Sequence, residues 1–223
     1  MQYRLTSIPI REVLRYALGT KPPDPLPDAF LQQAQTACQK VLDCAQPRYH
    51  YQIDSVQPLL DSFLTGQDIR RHLSGCSDCV LLCATLGPQV DALIRRTQVC
   101  DMAQALWLDA AASAAIEEVC DGAQQQIALT LGKSLTTRFS CGYGDLPLSA
   151  QGDFLRMLDA GRRIGLTLSP SGMLIPIKSV TAVAGILPEG AVPNEAALPC
   201  SICPRNNDCE LQRKGVFCGK YSD

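Results

Sequence analysis

The chain is poor in the features that usually betray a function. Aromatic residues make up 5% of its 223 positions, with one tryptophan, and there are two histidines, His50 and His72, neither with an acidic residue beside it in sequence. No histidine-centred triad or metal pair can be read from such spacing, and structural roles are the simpler expectation for both. The chain also lacks G-x-x-x-x-G-K-[ST], H-E-x-x-H and G-x-S-x-G. Twenty Lys plus Arg stand against 22 Asp plus Glu, a formal charge of -2 with no long run of one sign, which excludes a strongly basic nucleic-acid binder. The longest apolar stretches, Val80 to Leu86 and Val180 to Leu187, are too short to span a bilayer. Arg4, Arg11 and Glu12 stand where a signal peptide needs its apolar segment, so the expected location is cytoplasmic. What is present is a globular composition, 46% hydrophobic and 19% charged, long enough for one generous domain or one domain with an appendage.

Cysteine is the exception to this sparseness. Twelve are present, eight spread from Cys38 to Cys141 and four crowded in the tail. In a cytosolic chain these must be buried, reduced or ligated rather than paired in disulfides. Apolar periodicity predicts a helix through Ile10, Val13, Leu14 and Ala17 that stops at Gly19, followed by a stiff connector at Lys21 to Pro27. A second helix, capped by Asp28, runs to about Cys44, a strand covers Arg48 to Val56, and a short helix covers Gln67 to Leu73. Asp78 to Leu86 is a continuous apolar run closed by Gly87-Pro88, as expected of a strand covered on both faces. Val90 to Leu131 reads as mostly helix, broken near Thr97 to Val99, with Met102, Leu106, Ala110, Ala114, Ile116 and Val119 on an Ala-rich apolar side. A helix from about Ser149 to Gly165 and a last strand from Lys178 to Leu187 complete a mixed α/β or α+β core. The expected boundary lies near residue 190.

Between Arg138 and Pro147 the texture changes to R-F-S-C-G-Y-G-D-L-P. Gly142 and Gly144 permit close backbone approach, Tyr143 offers an aromatic face and a hydroxyl, and Arg138 offers a planar fork for a carboxylate. A structural turn and a binding loop for a small zwitterion are both compatible with this composition. Arg138, Gly142, Tyr143 and Pro147 nevertheless stand as in the R-x-x-x-G-Y-x-x-x-P loop of the activation domain of cobalamin-dependent methionine synthase, and the segment resembles that family. Gly165-Leu-Thr-Leu-Ser169, Met173, Pro176 and Ser179-Val180 match its G-x-x-L-T-x-S, M, P and S-V elements in order and spacing. Glu12 to Tyr16, Ala84 to Gly87 and Ile116 to Asp121 look like the free-standing, shorter members, so the resemblance covers roughly residues 4 to 187.

The resemblance implies a single activation-domain-like α+β fold over residues 1–190, with long helices on a small sheet. It also implies binding of S-adenosylmethionine and support for reductive reactivation of the cobalamin of a methionine synthase or related corrinoid methyltransferase, and so a part in methionine biosynthesis as an accessory methyltransferase subunit. By carry-over, Arg138 binds the ligand carboxylate, Ser140, Cys141, Gly142 and Tyr143 contact its nucleoside or methionine part, and Glu118 faces its ammonium, with helix phase deciding between Glu118 and Glu117. No side chain is expected to act as acid or base. One departure is plain: in the fused domain a strand with paired tyrosines follows S-V, and here no tyrosine lies between Tyr143 and Tyr221.

The tail, residues 191–223, carries Cys200-x2-Cys203-x5-Cys209-x8-Cys218, too polar to build its own core. Four thiolates suit an iron–sulfur cluster or zinc, and the low potential needed to activate a cobalamin favours the cluster. The expected partners are a cobalamin-bearing methionine synthase or corrinoid protein and a flavodoxin or ferredoxin electron donor. Cys76, Cys79 and Cys83 read as buried structural thiols rather than a second ligand set. The rival readings are a non-catalytic docking or assembly subunit with a structural metal tail, and an iron–sulfur activator that donates electrons alone.

Overall fold

A computed structural model describes residues 1–19 and 25–191. The tail with Cys200, Cys203, Cys209 and Cys218 lies outside them, as does much of the Pro-rich connector. In chain order the elements are α1 (Ile10–Leu18), α2 (Asp28–Cys44), β1 (Arg48–Ser55), α3 (Val56–Leu60), α4 (Gln67–His72), β2 (Asp78–Thr85), α5 (Pro88–Cys100), α6 (Met102–Leu131) and β3 (Phe139–Ser140). A 3-10 turn (Leu148–Ala150) then runs into α7 (Gln151–Met157), followed by α8 (Ala160–Ile164), β4 (Thr167–Leu168), β5 (Leu174–Ile175) and β6 (Ser179–Gly185).

The four-stranded sheet has the order β1-β2-β6-β3 and is antiparallel throughout, and β4 and β5 form a separate hairpin. This is the α+β arrangement, with β2 buried on both faces as its unbroken apolar run requires. Strand period two divides its side chains. Val80, Leu82 and Ala84 face a core shared with α1, α2, α5 and α6, while Cys79, Leu81 and Cys83 join Val183 and Phe139 in a second core under α3, α4, α7 and α8. Cys79 and Cys83 are thus core side chains on one face, with burial pushing both thiols up to about 12. Among the described residues no His, Cys, Asp and Glu cluster could hold a metal ion, and no helix is long and apolar enough to cross a membrane.

Three boundaries differ from the sequence expectation, each for a local reason. α2 begins at Asp28 itself, whose side chain makes no cap hydrogen bond, with Pro27 in the cap position. The break in the long helical stretch falls at Asp101 rather than Thr97 to Val99, because extended Asp101 caps α6, accepting at Oδ1 from the N–H of Gln104 at 2.9 Å. The helix expected from Ser149 to Gly165 is divided at Asp159, which stands at φ 47° and turns α8 so that Phe154, Leu158, Ala160 and Ile164 all enter the second core. Met102 and Leu106 face solvent, because the buried stripe of α6 runs instead through Ala105, Leu108, Ala112, Ala115, Val119 and Ala123. Small residues on that stripe let α1 and α2 approach closely.

Candidate functional site

β3 is two residues long and pairs with β6 only at Val183 and Ala182. Beyond that pairing the chain leaves the sheet in a tight turn, and the edge of β6 from Ser179 to Thr181 is left beside a cleft. The turn is held by its own backbone: the N–H of Gly142 donates to Leu146 O at 2.9 Å, and that of Tyr143 to Ser140 O at 3.1 Å. Gly142 and Gly144 adopt φ 87° and 50°, a region that disfavours side chains, and a Cβ on Gly144 would meet the carboxylate of Asp68. Asp145 fastens the turn to α4, accepting from the N–H groups of Gln67 at 2.5 Å and Asp68 at 3.1 Å. The opposite wall comes from the chain after β4. There Asp91, buried in α5, accepts from the N–H groups of Ile177 at 2.6 Å and Lys178 at 3.4 Å.

The cleft encloses about 260 Å³ and is lined by Glu117, Ser140, Cys141, Tyr143, Leu148, Gln151, Met173, Leu174, Ile177 and residues 179 to 181. It therefore gathers three of the six residues named from sequence: Ser140, Cys141 and Tyr143. Tyr143 is 59% exposed and meets Phe139 edge-on with ring centroids 6.3 Å apart. Burial pushes the Cys141 thiol up to about 11, with a hydrogen bond from Thr181 opposing the shift, so Cys141 is a thiol at neutral pH rather than a reactive thiolate. Gly142 shapes the turn without lining the cleft.

The acidic wall is Glu117, while Glu118, half-buried on the next position, is not among the lining residues. Helix phase accounts for this. Asp109, Ser113, Glu117, Asp121 and Gln124 recur at three- and four-residue spacing, a polar stripe along α6. Lys178 pairs with its first part, Nζ lying 2.8 Å from Asp109 Oδ1 and 2.9 Å from Ser113 Oγ. Arg138 pairs with the rest, at 3.0 Å to Glu117 Oε2, 2.8 Å to Asp121 Oδ1 and 3.0 Å to Gln124 Oε1. Burial of the Arg138 guanidinium works against its charge, but neighbouring Cys120, Asp121 and Glu117 outweigh it and hold its pKa above the ordinary value. Arg138 stands behind Glu117 rather than among the lining residues, so its fork already has two carboxylate partners.

No family model matches the sequence, and no curated protein matches it either. Structural similarity is found nonetheless. The crystal structure of the MetH reactivation domain bound to AdoHcy superposes with a TM-score of 0.58 at 13% identity, covering 96% of this chain and 87% of that one. The chain has the fold of that domain.

Within this fold, stretches that lie far apart in sequence converge. Met173 and Ser179-Val180, well beyond the Arg138 to Pro147 loop in sequence, line the same cleft as Ser140, Cys141 and Tyr143. Glu117 is the alternative that helix phase was to decide against Glu118, and the α6 stripe decides for it, whereas sequence reading missed Gln151 and Thr181. Nothing in the spacing marked Gln151, which is only 6% exposed and whose Oε1 is the one buried side-chain acceptor without a partner among the described residues. A second depression of about 280 Å³, at Gln2, Tyr3 and residues 46 to 48, gathers none of the motif residues.

Proposed function

We propose that the chain binds S-adenosylmethionine in the β6-edge cleft and supports reductive remethylation of the cobalamin of a methionine synthase or related corrinoid methyltransferase. The observation that carries this reading is the convergence of the loop and the downstream M and S-V elements on one cleft, in a fold shared with a domain whose crystal structure holds AdoHcy. In the bound state Tyr143 offers its face to the nucleoside, backbone groups of residues 140 to 143 approach it closely, and the Glu117 carboxylate faces the ligand ammonium. A ligand carboxylate reaching Arg138 shares the guanidinium with Glu117 and Asp121. S-adenosylmethionine supplies the methyl electrophile, and the partner's corrinoid supplies the nucleophile. The role of this chain is to orient the donor and present it.

The cleft is smaller than the roughly 300 to 1,000 Å³ that encloses a whole drug-sized ligand, so a partner completes it. Leu148, Met173, Ile175 and Ile177 are all exposed around it and would be covered by such a partner. Cys200, Cys203, Cys209 and Cys218 of the tail would hold an iron–sulfur cluster or zinc, and a cluster would supply one-electron chemistry toward a flavodoxin or ferredoxin donor. Visible absorbance that bleaches on reduction distinguishes the cluster from stoichiometric zinc.

One observation favours a second reading, a docking subunit without a methyl donor: Arg138 is fully engaged inside the protein. Titration calorimetry of S-adenosylmethionine into anaerobically purified full-length chain separates the two. Saturable binding, followed by donor-dependent methylation of cob(II)alamin on a corrinoid protein under reduction, is the expected result. Absence of binding both alone and with the corrinoid partner overturns the proposal in favour of docking.

A further inference from the structure

An amide buried without a partner is costly, because the desolvation of its oxygen is not offset by any hydrogen bond. Gln151 Oε1 is in that position: the residue is 6% exposed, no donor reaches the oxygen, and Gln151 is one of the residues that line the cleft. Every other buried side-chain oxygen or nitrogen among the described residues has a partner. Leu148, one turn earlier, and Leu174, on the facing hairpin, line the same cleft and bring apolar surface to it. Such a setting suits a flat ring with a hydrogen-bonding edge. An amide in this setting reads adenine with two bonds, its oxygen accepting from the 6-amino group and its N–H donating to N7, whereas a 6-oxopurine opposes one acceptor with another.

Resting on the reading of the cleft as an S-adenosylmethionine site, we infer that Gln151 is its base-reading residue, accepting the 6-amino hydrogen of adenine at Oε1 and so selecting adenosyl over inosyl ligands. The acidic wall at Glu117, the one charged side chain lining the cleft, then serves the amino-acid end of the ligand. Selection against the 6-oxo base adds a function to the site that neither the loop motif nor the fold assigns.

The test uses the intact chain, purified anaerobically, with two probes that differ only at that edge: S-adenosylhomocysteine and its deaminated counterpart S-inosylhomocysteine. The wild type is expected to bind the adenosyl probe about 5- to 100-fold more tightly, the discrimination of one well-placed amide–base pair. Gln151→Met, apolar and of similar length, is expected to bind both alike while melting without ligand at or above the wild-type midpoint, since the unpaired acceptor is gone. Equal affinity of the wild type for the two probes, or selection retained in Gln151→Met, overturns the inference and leaves the cleft reading intact. No binding of either probe by the wild type overturns both.

Discussion

The two faces of the sheet are built on opposite plans. On one, α6 sets an Ala-rich stripe against α1 and α2, its side chains fully buried and its polar stripe paired with Lys178 and Arg138. On the other, the second core is just as closed beneath the sheet, but at the β3–β6 edge it opens into a cleft with an unpaired amide and a rim of exposed Leu148, Met173, Ile175 and Ile177. Satisfied groups on the first face serve stability. The one unsatisfied acceptor on the second, Gln151 Oε1, departs from this consistency, as sites usually do from otherwise consistent packing.

The sharpest contrast is between two leucines. Leu108 has no exposure in the helical core, and Leu108→Ala is expected to cost about 2 to 5 kcal/mol in denaturant unfolding, as the cavity adds to the lost transfer energy. Leu148 is 43% exposed at the cleft rim, and Leu148→Ala is expected to cost no more than about 0.5 kcal/mol. Equal costs would mean the rim is ordinary core and would break the comparison.

Next in size is the Arg138 network. Its removal leaves Glu117 and Asp121, both partly solvated, facing one another, and Arg138→Met is expected to lose about 1 to 3 kcal/mol of unfolding free energy. A drop in ligand affinity in such a variant therefore needs the unfolding measurement beside it. Glu117→Gln separates the roles more cleanly. If the guanidinium is the ligand's carboxylate partner, freeing it tightens binding of S-adenosylmethionine. If Glu117 itself faces the ammonium, the same variant weakens binding, and calorimetry reads the sign directly.

Much of this was legible in the sequence. The apolar run from Val80 to Leu86 gave a doubly covered strand, and the fold expected from the Arg138 to Pro147 loop is the one observed. Local patterns failed where tertiary contacts decide. Asp159 carries no sequence mark of the positive φ that divides α7 from α8, and Met102 and Leu106 fit an apolar helix pattern yet stay exposed among the described residues. Of the loop residues read from sequence, Ser140, Cys141 and Tyr143 line the cleft, whereas Gly142 shapes its turn and Arg138 stands behind Glu117. Gln151 was not legible, because its meaning lies in a hydrogen bond that is not made.

Thiol chemistry separates the cleft from open surface. Cys141 is held as a thiol by burial, whereas Cys100 at the end of α5 is exposed. With iodoacetamide at pH 7.5 and peptide mapping by mass spectrometry, Cys100 is expected to be modified well before Cys141. Rapid labelling of Cys141 would mean the turn opens readily, and protection by ligand would then map occupancy of the cleft.

The smallest expected effect concerns His72, which ties α4 to the segment before β3, its Nε2 lying 2.9 Å from Thr137 O. Burial lowers its pKa from the ordinary 6.5, with the Thr137 bond opposing the shift. The folded state therefore holds the neutral ring, and the unfolded chain takes up a proton first as pH falls. Stability from this group is complete above about 6.5 and declines as pH falls through and below that value. His50, also lowered, adds in the same direction. Urea midpoints at pH 7.5 and 5.5 are expected to differ less in His72→Gln than in the wild type. Because α4 also holds Asp145, the anchor of the cleft turn, acid should loosen the cleft face before it touches the Ala-rich helices. Exchange protection of the Gln67 and Gly142 amides should fall ahead of that in α6, and simultaneous loss would mean that the two faces unfold as one unit.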